Sequence, residues 1–219
     1  MTSAPMKALV LAAGKGTRMS GGDLPKAMLQ VCRRPLLGYV LRALSFVPKA
    51  DTTLVVGYKR EAITSAFPEY RFAVQLEQLG TGHAVMAAAD VFTAYKGQLL
   101  VCYGDMPLVR QETYRALVSA HADEHNACTL LSGLSSGDEE VKAGIYVFDS
   151  QALFGALQKL GRANVHNEYY LADVPEIIAC EGGRVGIYKS TLGDELLGVN
   201  TREQLELAEY RIREAGLIY

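Results

Sequence analysis

No apolar run in this chain approaches the ~18 residues that a membrane-crossing helix needs. The segment from Met1 to Lys7 also lacks a basic stretch followed by an apolar one, so neither a span nor a secretory leader is expected. There is no C-x-x-C pair: Cys32, Cys102, Cys128 and Cys180 are scattered, and read as buried small apolar residues of a reducing compartment. Histidine is scarce as well. Of His83, His121, His125 and His166, only His121 and His125 show any spacing, four apart on a polar helical pattern that reads as a solvated face. An excess of either charge is missing, with 22 Lys and Arg against 24 Asp and Glu, which leaves no footprint of bulk DNA or RNA binding. Repeats, linkers and low-complexity segments are lacking too. The expectation is a soluble, cytoplasmic protein with no nucleic acid and no membrane among its partners.

What is present is a globular composition, 49% apolar and 21% charged over 219 residues, which reads as one domain spanning 1–219. Short apolar runs alternate with longer helical patterns. Strands are expected at Lys7–Ala12, Thr52–Val56, Phe72–Leu76, Gln98–Cys102, Ala127–Leu131, Gly144–Phe148 and Arg184–Tyr188. Helices are expected from Leu36 to Leu44, Glu61 to Phe67, Thr81 to Val91, Glu112 to Glu124, Gln151 to Leu160, Tyr169 to Cys180 and Arg202 to Ala215. Such alternation predicts an α/β fold, a Rossmann-like and mostly parallel sheet with helices on both faces. In such sheets ligands sit beyond the carboxyl ends of the strands.

That rule singles out two loops. The first is Leu11-Ala12-Ala13-Gly14-Lys15-Gly16-Thr17-Arg18-Met19, followed by Leu24-Pro25-Lys26. Its glycines let backbone N–H groups turn around an anion, and three cations cluster within twelve residues, as a triphosphate would require. A plain tight turn is the alternative. It is not a dinucleotide fingerprint, because Met19 stands at the third glycine position, and no Walker A sequence occurs. The second loop is Tyr103-Gly104-Asp105-Met106-Pro107-Leu108, where Asp105 reads alternatively as a turn former or as a helix cap, the cap being disfavoured by a helix that begins only near Gln111. A carboxylate facing a phosphate site needs a cation between them, and Mg²⁺ with few protein ligands suits that place.

These two loops, with Gln78-Leu79-Gly80-Thr81-Gly82-His83, Glu168-Tyr169-Tyr170-Leu171-Ala172-Asp173 and Gly198-Val199-Asn200 in the same order, resemble the sugar-phosphate nucleotidyltransferase family. Within it the likeness is greatest to the N-terminal uridylyltransferase domains of the bacterial bifunctional UDP-N-acetylglucosamine pyrophosphorylases. The resemblance implies a nucleotide-diphospho-sugar transferase fold and a reaction between UTP and a sugar 1-phosphate, with Mg²⁺ as cofactor. It implies that Leu11, Ala12, Ala13, Gly14, Lys15, Gly16 and Thr17 wrap the nucleotide, and that Gln75, Gly80 and Thr81 read the base and its surroundings. Arg18, Lys26 and Asp105 would act on the reacting phosphates, Asp105 and Asn200 would hold the metal, and Glu168, Tyr170 and Asn200 would lie beside the sugar. Each residue also has a structural reading: Thr81 as a helix start, Glu168 as a first-turn carboxylate, Asn200 as the N-cap of the helix from Arg202.

The chain departs from that family between Thr129 and Ile145, where a long sugar-contacting insert is replaced by Ser132-Gly133-Leu134-Ser135-Ser136-Gly137. The asparagine of the family's next motif is Lys142 here, either a solvated strand-edge residue or a new cation for the acceptor phosphate. The family's C-terminal acetyltransferase domain has no counterpart in these residues, so acetyl transfer is not expected. The rival expectations are the same chemistry with another base or acceptor, and a nucleotide-binding module of impaired catalysis.

Overall fold

In the computed structural model, which describes residues 5–16, 24–134, 140–190 and 193–216, the apolar runs form the middle of one sheet. β1 (Met6–Leu11) is followed by a small hairpin, β2 (Gln30–Val31) and β3 (Arg34–Pro35), and then by α1 (Leu36–Ala43). Next come β4 (Thr52–Val56), α2 (Glu61–Ala66), β5 (Arg71–Val74), α3 (Thr81–Met86), β6 (Gln98–Tyr103) and α4 (Gln111–Asp123). The second half adds β7 (Cys128–Leu134), β8 (Glu140–Asp149), α5 (Ser150–Leu157), α6 (Val174–Cys180), β9 (Val185–Ser190) and α7 (Arg202–Glu214). The seven-stranded sheet has the order β5-β4-β1-β6-β8-β7-β9. Its strands pair in parallel except at β8, which runs antiparallel to both β6 and β7. Leu11 lies in register with both Val55 and Tyr103, so three neighbouring parallel strands end side by side.

The strands read as unbroken apolar runs because both faces of the sheet are covered. Ala8, Val10, Leu54, Val56 and Leu100 face one layer, against Leu37 and Val40 of α1 and Tyr114 and Leu117 of α4. Leu9, Leu11, Val55, Leu99 and Val101 face the other, against Val85 of α3, Leu153 of α5 and Ile178 of α6. A third cluster joins Val31, Leu36, Tyr39 and Leu108 to Val199 and to Ala208 and Ile212 of α7. It ties the end of the chain to the loop after β6. Among the described residues no helix is long and apolar enough to cross a membrane.

Several elements differ from the sequence reading. Tyr169 and Tyr170 do not begin a helix: Tyr170 is extended (φ −93°, ψ 123°), and only a 3-10 turn, Leu171–Asp173, precedes α6. The backbone groups that a helix would use are spent on α3, through Tyr169 N–H to Leu79 O (2.8 Å) and Gly82 N–H to Tyr169 O (2.8 Å). The alanine-rich helix from Thr81 stops at Met86 and resumes as the 3-10 turn Ala89–Phe92. β7 and β8 run beyond their expected ends, pairing Ser132 with Lys142 and Leu134 with Glu140 across a register shift. Two cysteines are not buried: Cys32 is intermediate and Cys180, on the last residue of α6, is exposed.

The largest correction concerns His121, which is buried rather than solvated, with 3% of its surface exposed. Asn126 Nδ2 donates to the Thr129 hydroxyl (2.9 Å), which leaves that hydroxyl's own hydrogen for His121 Nδ1 at 3.0 Å. A neutral ring is needed to accept it, and burial lowers the His121 pKa from 6.5 to about 4. A histidine with a depressed native pKa stabilises the fold above its unfolded pKa, and that stability drains away as pH falls from 6.5 toward 4. The contribution at stake is at most about 3 kcal/mol. Urea unfolding of wild type at pH 7 and pH 4.5 should show this loss, and His121→Gln should flatten the slope between them.

Candidate active site

Beyond the three aligned strand tips lies a cavity of about 350 Å³. The end of β1 forms its floor. Ala12 and Ala13 are 4% exposed, and their small side chains bring backbone close to the space, held by Ala12 N–H to Val55 O (2.8 Å) and Tyr58 N–H to Ala13 O (3.3 Å). Leu11 and Gly14 complete that wall. Gly16 turns the chain with φ +67°, and a Cβ there would stand 3.0 Å from the Cβ of Lys26, so only glycine passes over the lysine without strain. Lys15 and Gly16 themselves do not line the cavity; Lys15 points outward, its ammonium 5.8 Å from the ring centre of Tyr58. Thr17 and Arg18 lie outside the described residues.

The cationic end is built by three segments far apart in sequence. Lys26 opens a 3-10 turn after Pro25, anchored by buried Ala27 and Met28. Its Nζ donates to Asp105 Oδ2 and, at 2.7 Å, to Asn200 Oδ1. Asp105 lies two residues beyond β6, after Gly104, whose N–H bonds Leu11 O (3.0 Å) and so ties the two tips together. Asp105 O in turn accepts from Val199 N–H (2.9 Å), which brings Asn200 alongside. Asn200 is not the cap of α7. Thr201 caps it in a reciprocal box with Gln204, leaving the Asn200 carboxamide on the cavity. Lys26 Nζ therefore sits where two hard oxygen donors converge, and these are donors of the kind that a magnesium ion takes.

Another part of the wall is built by α3 and the segment after α5. Gln75, 4% exposed, donates from Nε2 to Gly80 O (3.1 Å). Thr81 does begin α3, but its hydroxyl oxygen also accepts from Leu171 N–H at 3.0 Å, stitching the two segments. Glu168 is outside any helix and is bracketed by Asn164, which donates to its carbonyl (2.6 Å) and accepts from its N–H (3.1 Å). Glu168 and Tyr170 line the cavity, and burial together with the charges of Glu168 and Asp173 raises the Tyr170 pKa. Sequence reasoning assigned no role to Tyr103, Gln78, Ala27 or Ala84, which also form the wall. Tyr103 could have been found as the last residue of a strand whose neighbours were chosen; burial pushes its phenol up to about 12 against a hydrogen bond from Thr81 that lowers it. Lys142 is exposed and is not part of the wall.

The α/β sheet thus opens a cavity at adjoining parallel strand tips, with Lys26, Asp105 and Asn200 meeting in its wall. The chain belongs to the family described as the MobA-like NTP transferase domain, whose model matches residues 8–172. It is 37% identical over 237 residues to the bifunctional protein GlmU of Streptococcus agalactiae, covering 94% of this chain and 51% of that protein. Against GlmU of Lactococcus lactis it is 36% identical over 238 residues, with 94% and 52% covered. The chain thus spans about half the length of the curated relatives it matches. The fold also matches a crystal structure of a Bacillus anthracis protein named for thymidylyl transfer to glucose 1-phosphate, with a TM-score of 0.74, 15% identity and 96% of each chain covered.

Gly80 offers a direct check of this architecture. Its φ is +101°, and a Cβ would press on the carbonyl of Tyr169 and on the side chain of Glu168. Gly80→Ala should cost about 2 kcal/mol or more and prise Thr81 from Leu171. Thermal melting should register the loss, and nucleoside triphosphate titration should show weakened binding.

Proposed function

We propose that this chain transfers the nucleotidyl group of a nucleoside triphosphate, UTP by preference, to a sugar 1-phosphate, with N-acetylglucosamine 1-phosphate the first candidate, and releases pyrophosphate. The observation that carries this reading is the convergence of Lys26, Asp105 and Asn200 at the joined tips of β1 and β6, with Gln75 and Thr81 in the wall of the same cavity. The backbone of Leu11 to Gly14 would lie along the nucleotide, with Lys15, Gly16, Thr17 and Arg18 continuing the loop. Gln75, Gly80 and Thr81 would meet the base. Glu168 and Tyr170 would meet the sugar.

The acceptor phosphate is already largely dianionic at neutral pH, its second pKa being ~6. Its oxygen forms a new bond to the α-phosphorus as the bond from that phosphorus to the bridging oxygen breaks, and the leaving pyrophosphate keeps the electron pair. No side chain has to remove a proton. What the protein supplies is alignment and positive charge on the departing group, where Lys26 and Arg18 would act. Asp105 and Asn200 offer the hard oxygens that would hold a Mg²⁺ ion, whose positive charge would offset that of the reacting phosphates. Among the described residues no cluster of three or more His, Cys, Asp or Glu could hold a metal alone, so phosphates and water would supply the remaining ligands.

A second reading, the same chemistry with a different acceptor, is favoured by Lys142, which lies outside the cavity wall and so offers no replacement for the family's sugar-binding asparagine. Pyrophosphate release should be measured with each of the four ribonucleoside triphosphates against a panel of sugar 1-phosphates, with and without Mg²⁺. Turnover with UTP and an amino-sugar phosphate supports the first reading and another acceptor the second. UTP binding without turnover would leave a binding module. Asp105→Ala should lower the rate by ~10²–10³-fold while the melting temperature holds; an unchanged rate overturns its role.

A further inference from the structure

The ammonium of Lys26 lies on the two oxygens that the proposed reaction assigns to a metal ion. Nζ donates to Asp105 Oδ2 and, at 2.7 Å, to Asn200 Oδ1. Asn200 Nδ2 donates to Gly198 O (3.2 Å), which turns the carboxamide oxygen toward the lysine. Among the described residues no other side chain donates to either oxygen. The Lys26 and Asp105 side chains are 15% and 21% exposed, so water screens their attraction only in part. The lysine stem has little room to withdraw. Gly16 passes close above it, where a Cβ would stand 3.0 Å from that of Lys26, and buried Ala27 and Met28 anchor the turn that carries it.

We infer that Lys26 competes with a divalent cation for Asp105 and Asn200, and so makes metal binding conditional on a phosphate that draws the ammonium away. A single point between two oxygens holds one cation. A divalent ion taking both oxygens would displace the ammonium and leave it nearby on a short tether, where like charges repel. A triphosphate relieves that repulsion, because it gives Nζ new oxygens and adds ligands for the ion. Metal and nucleotide then strengthen each other's binding by the same factor. In the free protein the lysine keeps a half-buried carboxylate from standing unpaired. The phosphate part of this inference rests on the reading of the cavity as a nucleoside triphosphate site.

Mn²⁺, which takes the same oxygen ligands as Mg²⁺, serves as the probe, its unbound fraction counted by paramagnetic resonance in the full chain without nucleotide. Lys26→Met should bind Mn²⁺ ~10–100-fold more tightly than wild type, although it loses the cation proposed to act on the phosphates. Adding Asp105→Asn to Lys26→Met should remove the gain. Lys26→Gln serves where the methionine variant does not fold. Equal or weaker Mn²⁺ binding by a folded Lys26 variant overturns the inference, as does a gain that survives Asp105→Asn. Calorimetric titration of wild type with UTP and Mg²⁺ separates the two readings. UTP binding without a Mn²⁺ gain in the variants strikes the competition alone, whereas absence of UTP binding strikes the nucleotide site and the phosphate dependence with it.

Discussion

The position of one ammonium group organises this molecule. Lys26 Nζ meets a carboxylate 79 residues away and a carboxamide 174 residues away, and each partner reaches it by a different structural route. Asp105 arrives on the tip of a buried strand, fixed against β1 by the Gly104 to Leu11 hydrogen bond. Asn200 arrives because Val199, fully buried, is pinned to the backbone of Asp105 and packed among residues of α1 and α7. The sheet, the third hydrophobic cluster and the cap of α7 all serve to hold three polar groups at one point. Burial of apolar side chains provides the driving force, and the polar groups are left where anionic ligands can reach them.

Two parts of the cavity wall differ in how they are made. At the cationic end the positioning is done by strands, whose register permits little displacement. Around Gln75 it is done by hydrogen bonds of Leu79, Thr81 and Gly82 to Tyr169 and Leu171, which lace the start of α3 to the segment before α6. In such a place side-chain hydrogen bonds decide orientation, as Gln75 and Gly80 illustrate.

Much of this was readable in the residues. The runs ending at Ala12 and at Cys102 are apolar enough to read as strands covered on both sides, and the rule that ligands gather at strand ends then points to Ala12, Ala13, Gly14 and Asp105. The linkage of distant motifs came from resemblance rather than periodicity, because nothing local in Asn200 or Glu168 reveals which wall each will join. What stayed illegible was set by tertiary bonds. The extended Tyr169–Tyr170 segment carries helix-compatible residues, but the N–H and C=O groups of Tyr169 are claimed by Leu79 and by Gly82 of α3. His121 sits in a polar stretch, yet the face it shares with Leu117 turns inward onto Thr129. Thr201, not Asn200, caps α7, a choice that one residue of register decides.

The single reversed strand, β8, separates what the scaffold must keep from what it can vary. Parallel pairing of β4, β1 and β6 depends on contacts between residues remote in the chain, and a length change there would shift the side chains that line the cavity. Pairing of β7 with β8 is local, closing at Leu134 and Glu140. Residues can be added or trimmed beyond that pair while Leu11 and Tyr103 stay level. That side of the sheet can therefore be remodelled while the three aligned strand tips keep their places.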